Sequence, residues 1–139
     1  NIVGCKMDGV PWRICYKGDL LKAPTTAYRD NNYSRDYWEV KCTKKNENLD
    51  EIMFIDFNDP KVGAGIWIGF EYFSNDSLWT KGVYNVDKAF PYHMEITHFD
   101  TINRIVSGRF ECTLKLGGTT DPNILDTITI TDGVFDTHY

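Results

Sequence analysis

The last sixteen residues, Ile124 to Tyr139, read ILDTITITDGVFDTHY, and no other stretch constrains the fold as strongly. Ile128 and Ile130 alternate with Thr127, Thr129 and Thr131, the period of two that a half-buried strand requires. Asp132-Gly133 has the composition of a two-residue type I′ turn, in which both central residues take positive φ. The segment is therefore predicted to be a β-hairpin, with Thr131 facing Val134, Ile130 facing Phe135 and Ile128 facing Thr137. That register puts Ile130 and Phe135 on one face. It sets the fold class as all-β and carries no chemistry of its own.

The same pattern recurs along the chain. Ile2–Met7 and Pro11–Tyr16 are predicted to form a first hairpin about Asp8-Gly9. Strands are expected at Thr25–Arg29, Asp36–Thr43, Glu51–Phe57, Ala64–Phe73, Gly82–Val86, Tyr92–His98 and Ile105–Leu116, with Gly108 marking a bulge or bend. Asn, Asp, Gly and Pro punctuate the gaps, as in Asp30-Asn31-Asn32 and Asn58-Asp59-Pro60, because these residues set turn geometry. No segment longer than a turn or two has a 3.6-residue apolar stripe. Helix should stay under about 15%, with room for one short helix at Asp19–Lys22 or Asp87–Phe90. About ten short strands at this spacing imply an antiparallel β-sandwich or flattened barrel. At 139 residues, the chain is read as a single domain over residues 1–139.

Charge excludes one class of partner. A net charge of −5 does not suit a nucleic-acid backbone, which needs clustered Lys and Arg. Lys41, Lys44 and Lys45 are the nearest cluster, and Glu47, Asp50 and Glu51 follow at once, so a solvated strand end is expected there. No apolar run approaches the ~18 residues needed to span a bilayer. The chain starts at Asn1 and not at Met, so any signal peptide or lipid-modified cysteine upstream lies outside this sequence.

The four cysteines are Cys5, Cys15, Cys42 and Cys112. Their gaps do not fit zinc knuckles. A two-residue turn at Asp8-Gly9 pairs Cys5 with Trp12 and Ile2 with Cys15, so Cys5 and Cys15 point to opposite faces and cannot bridge. Cys42 and Cys112 read as inward. They are expected to act as small apolar residues; a disulfide, if formed, would join these two. His93 and His98 have opposite parity on one regular strand, so they are not expected to share a metal or a proton. His138 is expected outward, opposite Thr127. Asp56, Asn58 and Asp59 could supply oxygen ligands, but lack the spacing of a calcium loop and read as turn formers. No nucleophile–base set, phosphate loop or metal motif occurs. No catalytic residue, metal or cofactor is therefore assigned.

Aromatic residues make up 14% of the chain. Tyr28, Tyr33, Tyr37, Trp79 and Tyr84 lie in or beside predicted loops, outside the alternating apolar patterns, and are the candidate ligand-binding residues, since concave sites are usually lined by aromatics. Two end motifs add a resemblance. The opening CKMDGVPW, with Asp8, Gly9 and Trp12, and the closing GRFECTLKL…ITITDGVFD, with Gly108, Phe110, Thr131, Asp132, Gly133 and Phe135, resemble a family of small envelope lipoproteins from Bacteroidetes, a domain of unknown function. The resemblance implies a secreted or lipid-anchored all-β domain, periplasmic or outer-membrane-anchored, and no activity. The expected function is non-enzymatic binding of a ligand or envelope partner. The alternative is a carbohydrate-binding or carbohydrate-active module using loop aromatics. Membrane contact would come only through the upstream anchor.

Overall fold

The computed structural model describes residues 2–15, 25–30, 37–44, 49–58, 61–74, 80–119 and 125–138; for 13–15, 25–30, 37–38, 49, 58, 72–74 and 80 it describes the backbone alone. The described residues form ten strands: β1 (Ile2–Met7), β2 (Val10–Cys15), β3 (Thr25–Asp30), β4 (Tyr37–Lys44), β5 (Leu49–Asn58), β6 (Trp67–Ser74), β7 (Thr80–Val86), β8 (His93–Asp100), β9 (Ile105–Thr119) and β10 (Thr127–His138). Every pairing is antiparallel, and the order is β2-β1-β10-β9-β7-β6-β5-β4-β3, with β8 also on β9. The described residues contain no helix: Asp87–Phe90 is a turn in which the Asp87 carboxylate accepts from Ala89 N–H at 3.0 Å. Asp19–Lys22 lies outside the described residues.

The sheet curls until its two ends overlap, with β3 against β10 and β2 against β4, but it does not close into a barrel. Its concave side is the core. There Phe57 of β5 stacks on Phe135 of β10 at 6.5 Å between ring centroids, and Trp12 of β2 meets Phe70 of β6 edge-on at 6.0 Å. Both pairs join strands that share no ladder, so side-chain packing holds the curl. The Trp12 indole N–H donates to the Glu51 carboxylate, and this gives the one polar atom of the ring an acceptor.

The first hairpin matches the sequence pattern. Met7 pairs with Val10, Cys5 with Trp12 and Ile2 with Cys15. Asp8 and Gly9 have φ of 49° and 79°, as a type I′ turn needs. Asp8 also grips β10: its N–H donates to the Thr129 carbonyl, and its carboxylate accepts from Thr129 N–H, both at 2.8 Å.

The turn expected at Asp132-Gly133 does not exist. Thr127–His138 is one continuous strand, and the C-terminal hairpin is instead formed by β9 and β10. Ile130 pairs with Cys112, and the next pair is Gly133 with Phe110, so β10 carries one extra residue, a β-bulge. The β1 ladder shifts at the same place, between Gly4 and Lys6. Only Asp132 of the two has positive φ, 54°. A hairpin turn and a one-residue bulge both invert side-chain parity, so either lets Ile128 and Ile130 face the same way as Phe135 and Thr137; all four are buried. The straight strand prevails because β10 then has a ladder on each edge, to β1 and to β9, which satisfies more backbone groups than a folded-back hairpin.

Two glycine–phenylalanine pairs follow the bulge along β10. Gly108 pairs with Phe135, and Gly133 with Phe110. A Cβ on Gly108 would lie 2.3 Å from the Phe135 ring, and one on Gly133 would lie 2.3 Å from the Phe110 carbonyl oxygen. Each ring occupies the space its glycine leaves, in both directions across the same strand pair. Gly108 is therefore a packing position, and the bulge beside it belongs to β8, where the register shifts between Ile96 and His98.

That β8 bulge corrects a second expectation. It inverts parity, so His93 and His98 both face outward and are exposed. His138 is exposed too, but its partner is Ile105 rather than Thr127. Cys5, Cys42 and Cys112 are buried, and no disulfide joins Cys42 to Cys112. Burial pushes the Cys112 thiol up to about 12. Cys5 is also pushed up to about 12, by burial first and the neighbouring Cys112 second. Such thiols stay protonated and pack as small apolar groups.

Candidate functional site

The long strand β9 shares one of its edges between two neighbours. β8 pairs with it up to Glu111, opposite His93, and β7 takes over at Leu114, opposite Val86. Between them β7 leaves the sheet, turns at residues 87–90 and returns as β8. A groove of about 300 Å³ opens at this split, lined by Pro91, Tyr92 and His93 on one side and by β9 and β10 on the other. Glu111, Thr113, Thr129 and Thr131 run along its floor beside Ile130, and its accessible lining is mainly apolar. Cys112 contributes only its backbone, since its thiol lies in the core. Tyr92 stands 52% exposed. His93 Nε2 lies 3.2 Å from the Glu95 carboxylate, whose other neighbour is Arg109 at 3.9 Å. A mainly apolar lining with an aromatic wall, threonine hydroxyls and a carboxylate suits a largely apolar ligand that carries a few polar groups.

The same outer surface continues over β4 to β7. Alternation sends Ile66, Ile68 and Phe70 inward and Trp67, Gly69 and Glu71 outward on β6. Register sets Asp56 beside Trp67, Phe54 beside Gly69 and Asn85 on the other side of Gly69. The benzo edge of Trp67 leans along the strand over Gly69, where an added Cβ would lie 3.1 Å from two ring atoms. Trp67 remains 39% exposed. Glu39 pairs with Asp56, and Lys41 with Phe54, over whose ring its ammonium sits at 5.4 Å. Burial holds the Glu71 carboxyl above its ordinary value, with Lys41 opposing and Glu39 adding to the shift.

The aromatics singled out from sequence fare differently. Tyr84 is 1% exposed, packs edge-on against Phe70 and donates its hydroxyl to the Leu125 carbonyl at 2.6 Å. It is a core residue and offers no ring face to a ligand, because it lies on a strand in phase with the inward set. Tyr28 pairs with Glu39 and Tyr37 with Asn58 in the backbone register; their side chains are not described. Trp79 and Tyr33 lie outside the described residues, as does Asp59. Asp56 and Asn58 belong to β5 rather than to a turn. Sequence reasoning passed over Trp67, although its parity against Ile66, Ile68 and Phe70 was readable. It also passed over Tyr92 and Glu111, which only the split of β9 brings together.

Among the described residues, no group of three or more His, Cys, Asp or Glu side chains converges to hold a metal ion. None of the described residues forms a helix long and apolar enough to cross a membrane. Comparison with models of known protein families finds no match, and the same is true of characterised proteins and of solved structures.

Proposed function

We propose that this chain is a non-enzymatic binding domain of the cell envelope, secreted or lipid-anchored, that holds its ligand or partner in the groove at the β7–β8 split. The observation that carries the reading is the groove itself. It is a concavity of about 300 Å³ with one aromatic wall and a mainly apolar lining set with threonine hydroxyls and a carboxylate, at the lower end of the size range of ligand sites. The floor is stiff, because β10 is paired on both edges and pinned by Asp8 at Thr129, so little ordering is needed on binding. The envelope location rests on the resemblance of the opening and closing motifs. The test is an amide chemical-shift titration of the labelled domain with a library of mono- and disaccharides and short peptides. Shifts gathered at Tyr92, His93, Glu111, Thr113, Thr129 and Thr131 are expected. A library that shifts none of these residues would refute the groove. The carbohydrate alternative draws support from a different observation, the exposed Trp67.

A further inference from the structure

We infer that the outer face of β5 to β7 is a second binding surface, on which Trp67 stacks a ring of an uncharged glycan. The inference rests on the reading of the domain as a binding module, but not on the groove. Four features lead to it. Trp67 projects from a strand, not a loop, and its indole leans over Gly69, where an added Cβ would lie 3.1 Å from two ring atoms and press on the ring. One face of the indole is thereby turned toward the sheet and the other toward solvent, and Trp67 stays 39% exposed. The position is held by two ladders, since β6 pairs with β5 and with β7. Hydrogen-bonding groups stand around the ring: Asp56 directly opposite on β5, and Asn85 opposite Gly69 on β7.

This combination matches the surface of a sugar. One side of a pyranose presents C–H bonds that pack on an aromatic face, while its hydroxyls project from the rim and need acceptors and donors. Carboxylate and amide side chains at the ring edge supply them. Charge narrows the class. On β4 to β6 beside the ring, Glu39, Asp56 and Glu71 outnumber Lys41, so glycans rich in carboxylate or sulfate meet like charge. Lys41 is directed over Phe54, which leaves it poorly placed to recruit an anion. An uncharged glycan fits; an acidic one does not.

The test uses the whole chain in affinity gel electrophoresis against a mixed-linkage β-glucan, a galactomannan and a xylan, with polygalacturonate as the acidic control. At least one of the three uncharged polysaccharides should retard the wild type, and polygalacturonate should not. Trp67→Ala should weaken the retardation about thirty-fold, the size expected for removing a hot-spot aromatic. Asn85→Ala, on an exposed side chain outside the core, should weaken it several-fold without lowering the melting temperature, which separates lost recognition from lost folding. Tyr92→Ala should leave it unchanged. The inference is overturned if none of the three retards the wild type, if only polygalacturonate does, or if Trp67→Ala and Asn85→Ala both bind like the wild type. Loss on Tyr92→Ala with Trp67→Ala unaffected would sink this surface while leaving the groove reading intact. The reverse pattern would support this surface and leaves the groove to its own titration.

Discussion

Replacing Gly133 by alanine tests the bulge that organises β10. A Cβ at this position would lie 2.3 Å from the Phe110 carbonyl oxygen and 2.5 and 2.6 Å from two atoms of its ring. Neither neighbour can step aside cheaply. The carbonyl belongs to the backbone of β9, and the ring is fully buried. Overpacking of this kind costs about 1–3 kcal/mol, and loss of glycine freedom in the unfolded chain returns roughly 0.4–1 kcal/mol. Because one clash is with backbone, the net should fall near 2 kcal/mol of destabilisation. At roughly 3 °C per kcal/mol for a chain of this size, the melting temperature should drop by about 6 °C. The assay is urea unfolding, read as a lower midpoint at unchanged slope. A double-mutant cycle with Phe110→Ala should show coupling of at least about 1 kcal/mol, because removing the ring makes room for the methyl. Gly9→Ala is the control. Gly9 has φ of 79° and nothing within 4 Å of an added Cβ, so its cost of about 1–2 kcal/mol comes from backbone strain alone and should not couple to Phe110. If Gly133→Ala leaves the midpoint unchanged, or adds independently to Phe110→Ala, the packing account of the bulge is wrong.

Three further outcomes follow from named contacts. Glu51→Ala deprives the Trp12 indole N–H of its acceptor and should cost about 2 kcal/mol, whereas Glu51→Gln keeps a carbonyl there and should cost less in the same urea assay. Tyr84→Phe removes the hydroxyl that donates to the Leu125 carbonyl at 2.6 Å and should cost about 1 kcal/mol while the fold is retained. Glu71 has its carboxyl raised by burial, so the folded state holds that proton more tightly than the unfolded chain. Its contribution favours folding below the ordinary carboxylate range and is lost as pH rises through the raised value. Glu71→Gln should therefore be more stable than wild type at pH 7, and the gap should close on acidification; thermal melts across that range will show whether it does.

What could be read from sequence was local. Asp8-Gly9 identified a type I′ hairpin and its register down to Cys5 opposite Trp12, because a short connection leaves the chain few geometries. Alternation located the strands within a few residues. The same alternation failed at Asp132-Gly133 and at His93 and His98, for one reason: parity reports which face a residue takes and says nothing of how the parity was reversed. A turn and a bulge look alike until the partner strands are known, and β1, which borders the β10 bulge, lies at the far end of the sequence. The candidate site shows the same division. Trp67 was legible by phase within AGIWIGFEYF but was absorbed into an apolar run. Tyr84 looked peripheral because it lies in a short strand, yet it faces the core. The groove was not legible at all, since it arises only where β7 and β8 share an edge of β9.

The bulge and the groove occupy one stretch of β9. Gly133 pairs with Phe110 on one edge of that strand, and the other edge passes from β8 at Glu111 to β7 at Leu114. The extra residue in β10 lets its inner face keep apolar side chains on both sides of the point where β9 changes neighbours. Without it, either Ile128 and Ile130 or Phe135 and Thr137 would turn outward, and the curled core could not continue past the split. On the outer side β8 and β7 diverge beside the same stretch of β9, with Asp87 N–H still donating to the Thr113 carbonyl at 2.8 Å, and the groove opens there. Core packing and binding surface thus meet on the two edges of one stretch of β9. The Trp67 face, by contrast, lies on strands whose register from Glu39 through Asp56 to Trp67 is unbroken. A substitution at Gly133 should disturb the first surface and spare the second, which makes the two experimentally separable within one folded chain.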